Sequence, residues 1–199
     1  MEISPAAPLH ASAPNAVAYT PTAVGTYRLT CHTDVPGVTT PPPQTVTVVA
    51  AAPAVLQAVL AQSRTKAGAV VGASCVARDA FGNTVDVPAA TWLVQSPLTH
   101  GPTGLTATRA GTYNVSCSVP AWPHLSASPS VPLSVVAAAP ASVQTWLAKA
   151  QVPAHAPITV RCEAHDAYAN PVAQADTAFR VTGGPVALTP DGFTADRAG

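Results

Sequence analysis

Apolar and polar residues alternate with a period of two through most of this chain, and that period predicts strands. Between positions 69 and 78, Val71, Ala73, Cys75 and Ala77 fall on one face. Thr91-Trp92-Leu93-Val94-Gln95 places Trp92 and Val94 together, and from 112 to 119 Tyr113, Val115, Cys117 and Val119 share a side. Further strands are predicted at 55–60, 105–108 and 131–136. Asp79-Ala80-Phe81-Gly82-Asn83 reads as a turn, with Gly82 and Asn83 suited to positive φ. Residues 97–104 read as loop or a short edge strand, and 120–129 as a Pro-rich loop. About seven strands in a segment of this size predict an all-β, two-sheet sandwich.

The pattern recurs. Val48-Val49-Ala50-Ala51-Ala52-Pro53 returns as Val135-Val136-Ala137-Ala138-Ala139-Pro140, a shift of 87 residues (48 to 135). Asp79-Ala80-Phe81-Gly82-Asn83 returns at the same shift as Asp166-Ala167-Tyr168-Ala169-Asn170, and Cys75 as Cys162. Ala110-Gly111-Thr112-Tyr113-Asn114-Val115-Ser116-Cys117 echoes Val24-Gly25-Thr26-Tyr27-Arg28-Leu29-Thr30-Cys31. Solenoid units run to about 20–50 residues, so this longer period suits a string of separately folded small domains. Residues 51–137 are the complete copy. Residues 1–50 supply the last strands of another (16–20, 26–32 and 45–49), and 138–199 the first strands of a third. Both partial copies are expected to be continued by sequence beyond this chain. The joints at 50–53 and 137–140 are short and carry proline, which implies limited bending between neighbours.

Composition narrows the picture. Prolines number 22, enough to interrupt every candidate helix except short Ala-rich stretches. Charged residues make up only 9%, but with 48% hydrophobic residues this does not signal disorder. Lys+Arg and Asp+Glu balance at nine each, so no global field draws the chain to nucleic acid or an anionic membrane. No apolar run approaches the roughly 18 residues needed to cross a bilayer, and Met1-Glu2-Ile3-Ser4-Pro5 lacks the basic and apolar regions of a signal peptide, so that any targeting segment is expected upstream.

Each full copy has an early and a late cysteine, Cys75 and Cys117 in the middle one, each on the apolar face of its strand. In a sandwich they would face each other across the core. Buried thiols are one reading of the pair. Zinc is another, disfavoured because no two cysteines sit two to four residues apart. A disulfide is the reading adopted, and it implies an oxidising compartment. Closing a loop from 75 to 117 would stabilise by about 4 kcal/mol in the chain-entropy model. Cys31 and Cys162 are expected to lack a partner within this chain.

The order Cys75, Trp92, Cys117, with Phe179 at the place of Trp92 in the next copy, resembles an immunoglobulin-like sandwich whose core aromatic packs on an inter-sheet bond. The turn at 79–83 and the strand entry at 110–115 resemble the D-x-x-G-N and A-G-T-Y-x-V blocks of bacterial Ig-like and filamin-type repeats. The resemblance implies tandem immunoglobulin-like domains, one complete and two partial. In antibody domains the corner tyrosine lies two residues before the second cysteine. Tyr113 lies four before Cys117, which favours the filamin or bacterial Ig-like side.

Reactive-looking groups mostly fail to recur. Cys162-Glu163-Ala164-His165-Asp166 suggests a metal cluster, but Glu163 and His165 correspond to Val76 and Arg78 in the middle copy, so an exposed strand face is the simpler reading. Asp79 and Asp166 do recur. They are read as turn caps, because calcium would need several more oxygen ligands. No serine has a recurring His and Asp partner, and Gly183-Gly184 reads as a turn rather than a phosphate loop. Asn114-Val115-Ser116 is a chance match to a glycosylation acceptor. Trp122 and Trp146 lie off the core by parity.

No catalytic, cofactor or metal site is therefore expected, and no cofactor. The expectation is a non-enzymatic structural or adhesive region of a large secreted or surface protein. Its partners would be an unidentified protein or glycan and the neighbouring repeats. The end loops 96–104 and 120–129 are the expected contact surfaces, with Trp122 as anchor. The alternatives are an accessory array of a secreted hydrolase and an intracellular filamin-like crosslinker, which paired cysteines disfavour.

Overall fold

The computed structural model describes residues 2–4, 9–13, 16–32, 35–173, 177–184, 186–190 and 192–195, with side chains from residue 18 onward. Met1, the end at 197–199 and the His10 side chain lie outside the described residues. Nineteen strands and no helix occur among them, so the chain is all-β. The first copy carries β1 (Glu2–Ser4), β2 (Leu9–Ala13), β3 (Ala16–Tyr19), β4 (Gly25–Thr30) and β5 (Gln44–Val48). The middle copy opens with β6 (Pro53–Leu60), β7 (Arg64–Lys66), β8 (Val70–Val71), β9 (Ala73–Asp79) and β10 (Thr84–Val85). It continues with β11 (Thr91–Val94), β12 (Thr99–Gly101), β13 (Gly104–Thr106), β14 (Gly111–Ser118) and β15 (Val131–Val136). The last copy has β16 (Pro140–Leu147), β17 (Ile158–Asp166), β18 (Val186–Thr189) and β19 (Gly192–Ala195).

The chain divides into two compact units, Met1–Val59 with Ser74–Leu93 and Ser116–Pro129, and Leu60–Ala73 with Val94–Val115 and Ser130–Gly199. In the first unit, β4 pairs with β1 and β5, β2 forms a hairpin with β3, and β9 lies between β10 and β6. Alternation on β6 and β9 buries Leu56 and Ala77, which meet Val119 in one cluster. Cys75, Val85, Val87, Ala90, Trp122 and Leu125 pack around it. A disulfide joins Cys75 of β9 to Cys117 of β14, with Cα atoms 6.1 Å apart. Such a staple suits a cluster of small side chains, where each residue removes little apolar area from water.

In the second unit, β14 and β15 run antiparallel with Tyr113 opposite Leu133 and Val115 opposite Val131. β7 adds to β15 in parallel. Val71, Leu98, Leu105, Tyr113, Val115, Leu133 and Val135 are buried there. β13 passes so close to β8 that a Cβ on Gly104 would overlap the Val71 carbonyl, and Gly192 meets the Ile158 carbonyl in the same way. The last copy forms a sheet in the order β16-β17-β19-β18.

Two aromatic assignments differ from the sequence reading. Trp92 is only half-buried, because β11 is the edge strand of the sheet β11-β14-β15-β7 and is covered from one side. Trp122 instead joins the cluster that contains Cys75. Parity could not place it, because its segment is coiled by turns: Trp122 N–H donates to the Val119 carbonyl (2.9 Å) and Leu125 N–H to the Trp122 carbonyl (3.0 Å). Ser128 then pins the segment to β14, donating its N–H to the Cys117 carbonyl at 2.8 Å and accepting the Cys117 N–H on its hydroxyl at 3.0 Å. Loop 120–129 is therefore anchored through Trp122, Leu125 and Ser128, while most of its other residues remain exposed. Phe179, the counterpart of Trp92, is half-buried and lies outside the strands.

Trp122→Ala is expected to lower stability by about 2 kcal/mol, less than the roughly 3–5 kcal/mol of a fully buried aromatic. Trp146→Ala, at an exposed position, is expected to stay within about 0.5 kcal/mol. Urea denaturation of the 199-residue chain measures both, and indistinguishable midpoints would show that Trp122 is not packed.

Candidate functional site

Among the described residues the recurring Asp and Asn build a dense polar assembly. Asp79 ends β9. Its Oδ1 accepts the N–H groups of Phe81 and Asn83, both at 2.9 Å, which closes the turn. Its Oδ2 accepts the Asn83 side-chain amide at 2.8 Å and the Ala51 N–H, in the proline-containing joint, at 3.0 Å. The Asn83 amide then reaches into the preceding copy, donating from Nδ2 to the Thr22 carbonyl at 2.8 Å and accepting the Val24 N–H on Oδ1 at 3.1 Å. One side chain thus pairs with the backbone as a residue of a neighbouring strand would.

The second joint repeats this bond for bond. Asp166 accepts from Tyr168 N–H and Asn170 N–H (both 2.9 Å), from Asn170 Nδ2 (2.8 Å) and from Ala138 N–H (2.8 Å). Asn170 donates to the Thr108 carbonyl at 2.7 Å and accepts the Ala110 N–H at 2.8 Å. The receiving backbone is itself held. Tyr27 donates its hydroxyl to the Ala23 carbonyl at 2.8 Å, between the two groups that Asn83 uses, and Tyr113 donates to Arg109 at 2.7 Å between those that Asn170 uses. The two most recognisable motifs of the sequence are therefore the two halves of one joint. At the second joint Tyr168 also covers Gly68, where any side chain would occupy the space of its ring.

Turn capping by Asp was legible from sequence; the reach of Asn was not. Asn83 was expected to supply positive φ, but that conformation belongs to the residue before it, Gly82 (φ 86°) and Ala169 (φ 64°). The missed signal was that the docking backbone, Thr22 and Val24 or Thr108 and Ala110, recurs at a shift of 86 residues (22 to 108), within one residue of the 87 that separates Asn83 from Asn170.

Electrostatically both aspartates are strongly conditioned. Asp79 and Asp166 are each 3% exposed. Burial pushes their carboxyls up, but the hydrogen bonds from the asparagine side chain and from three backbone N–H groups together outweigh it. Each is held at about 2, below the ordinary 3.8.

The remaining candidates are scattered. Cys75 and Cys117 are bonded, whereas Cys31 is exposed and Cys162 half-buried, both as free thiols. On β17 alternation sends Cys162, Ala164 and Asp166 to one face and Glu163 and His165 to the other, so these five cannot converge on an ion. Among the described residues no three His, Cys, Asp or Glu side chains gather into a metal-binding group. Among the described residues no helix is long and apolar enough to cross a membrane.

Among solved structures the chain is similar to FdeC, a broadly conserved Escherichia coli adhesin that elicits protection against urinary tract infections. The likeness covers 89% of this chain and 68% of that one, at 20% identity and a TM-score of 0.52, and it shows a shared all-β fold. Domains 1–6 of the surface-layer protein SbsC match over 87% of this chain and 28% of that one, at 16% identity and a TM-score of 0.32. No protein-family model matches the chain, and no curated protein matches it in sequence.

Two measurements probe the joints. Because the folded carboxyls titrate near 2 and unfolded ones near 3.8, the unfolded chain takes up these protons first as pH falls. Their stabilisation is therefore complete above the unfolded value and is lost as pH falls through about 2. Denaturation midpoints between pH 5 and 2 should show the fall, reduced in Asp79→Asn and Asp166→Asn. Separately, Ala169→Gly is expected to stabilise by about 0.5–1 kcal/mol by relieving positive φ, and Gly82→Ala to destabilise by a similar amount. Thermal unfolding that gave both changes the same sign would contradict the turn geometry.

Proposed function

We propose that this chain is a non-enzymatic structural and adhesive section of a secreted or surface-exposed protein. It is built from Ig-like, filamin-type copies of about 87 residues, arranged as 1–50, 51–137 and 138–199. The observation that carries this reading is the doubled Asp–Asn joint. Evolving one fold needs its turns and core, but the asparagine bonds run from one copy to backbone of the one before it. Residues retained for that purpose serve a chain whose job is to hold successive domains in a set relation.

Three further observations support it. The Cys75–Cys117 bond favours an oxidising compartment and weighs against the intracellular crosslinker. The fold is shared with an adhesin. The acidic residues that recur in both copies have their oxygens engaged by turn and joint N–H groups, which leaves them unsuited to proton transfer or nucleophilic attack.

The direct experiment labels intact cells that produce the full protein with a membrane-impermeant biotin reagent. Labelling of this region without lysis, with Cys75 and Cys117 recovered as a disulfide, is the expected result; labelling only after lysis, with both thiols reduced, would sink the proposal. For the joint, Asn83→Ala and Asn170→Ala should each cost about 2–4 kcal/mol, because each removes three side-chain hydrogen bonds, one of them to a carboxylate. They should also raise the amplitude of inter-copy motion seen by NMR relaxation, while the disulfide-linked core keeps its amide protection.

A further inference from the structure

The outer face of the β16–β17 pair is where the last copy departs most from the fold's needs. In register, Trp146 stands opposite Arg161 and Gln144 opposite Glu163, so these four side chains project from one face of the sheet. Val143, Thr145, Leu147, Val160 and Cys162 project from the other, and it is their counterparts Leu56 and Ala58 that are buried in the middle copy. Trp146 thus lies on the face away from the core and is 60% exposed. The middle copy has Val59, Ser74 and Val76 at the positions of Trp146, Arg161 and Glu163, which shows that the sandwich requires none of them. A shallow cleft of about 520 Å³ runs along this face, lined by Trp146, Leu147, Ala148, Thr159, Arg161 and Glu163.

We infer that this cleft is a binding site for a neutral hexopyranose unit of a glycan. An exposed indole offers an apolar plane of the size of a sugar ring, whose axial C–H groups present an equally apolar, slightly positive face to the π cloud. Around that plane stand a guanidinium with several fixed donors, a carboxylate with acceptors only, and the Thr159 hydroxyl, which does both. Vicinal sugar hydroxyls donate and accept at once and so match such a mixed set. The charges decide the class: Arg161 and Glu163 cancel, and a sugar bearing carboxylate or sulfate would be repelled by Glu163 as much as it is drawn by Arg161. A neutral sugar meets no such penalty. Arg161 and Glu163 are both exposed, so their charged ends can be reached by a ligand.

This deepens the adhesive reading and rests on it for biological meaning, but the two fail separately. Surface labelling without sugar binding overturns only the present inference, and sugar binding by a protein labelled solely after lysis overturns only the other. The probe set is methyl glucoside, galactoside and mannoside and their oligomers, with glucuronic acid and sialic acid as charged comparisons. They are titrated against the 199-residue chain and followed by ligand-observed NMR and tryptophan fluorescence. Saturation transfer to the C–H face of at least one neutral hexose is expected, weakened about tenfold or more in Trp146→Ala and several-fold in Arg161→Ala. Trp146→Ala should keep the wild-type circular dichroism and urea midpoint, so lost binding cannot be lost folding. Binding unaffected by Trp146→Ala, preference for the charged sugars, or no binding to any neutral hexose would each overturn the assignment. Self-association that Trp146→Ala abolishes, without sugar binding, would reassign the face to a second copy of the chain.

Discussion

A buried carboxylate with every acceptor site engaged is the constraint from which the order of this molecule follows. Asp79 closes its own turn, holds the joint through Ala51 and orients Asn83, all with two oxygens. Each bond is worth little by itself, but a buried ion tolerates few unsatisfied lone pairs, so the bonds stand or fall together. The turn cannot relax without releasing the joint, and the joint cannot move without exposing the carboxylate. Local backbone geometry is in this way coupled to the backbone at Thr22, Val24 and Ala51.

The same economy of means governs the interior. Ala and Val dominate the apolar positions, and the buried cluster of the first unit is made of Leu56, Ala77 and Val119 with half-buried neighbours. Small side chains let strands approach closely, as the Gly104–Val71 and Gly192–Ile158 contacts show, but they remove modest area from water. Cross-links take up the remainder. The disulfide limits the unfolded chain, and Ser128 ties the Pro-rich loop to the strand that carries Cys117. Trp122 and Leu125 of that loop pack against this cluster.

Much of this was legible in the alternation of residues. The period of two located β6, β9, β11, β14 and β15 and put Cys75 and Cys117 on facing sides, because a half-buried strand must alternate. Depth was not legible. Parity gives a face but not whether a strand is central or at an edge, so Trp92 read as core although β11 is an edge strand. Loops escaped for a related reason: the coil at 120–129 follows hydrogen bonds between residues three apart, which leave no periodic trace. The joint was visible as recurrence without its cause. An asparagine that recurs is ambiguous between a backbone that needs positive φ and a side chain that needs a partner. Only Ala169, which takes the turn's positive φ without being glycine or asparagine, shows that the second cause governs.

Internal repetition separates what the fold requires from what it merely carries. Where two copies agree, as at Asp79 and Asp166 or Tyr27 and Tyr113, the shared residue is explained by turn, joint or core. Where they disagree on a buried position, packing has found another solution. Disagreement on an exposed face is different, because exposure removes the packing constraint and leaves solubility as the default pressure. Solubility favours small or charged residues at Val59 and at Trp146 alike, and a tryptophan opposes it. An exposed indole beside an exposed arginine and glutamate, at a position the sister copy fills with valine, is therefore a feature of the described residues that folding alone does not explain.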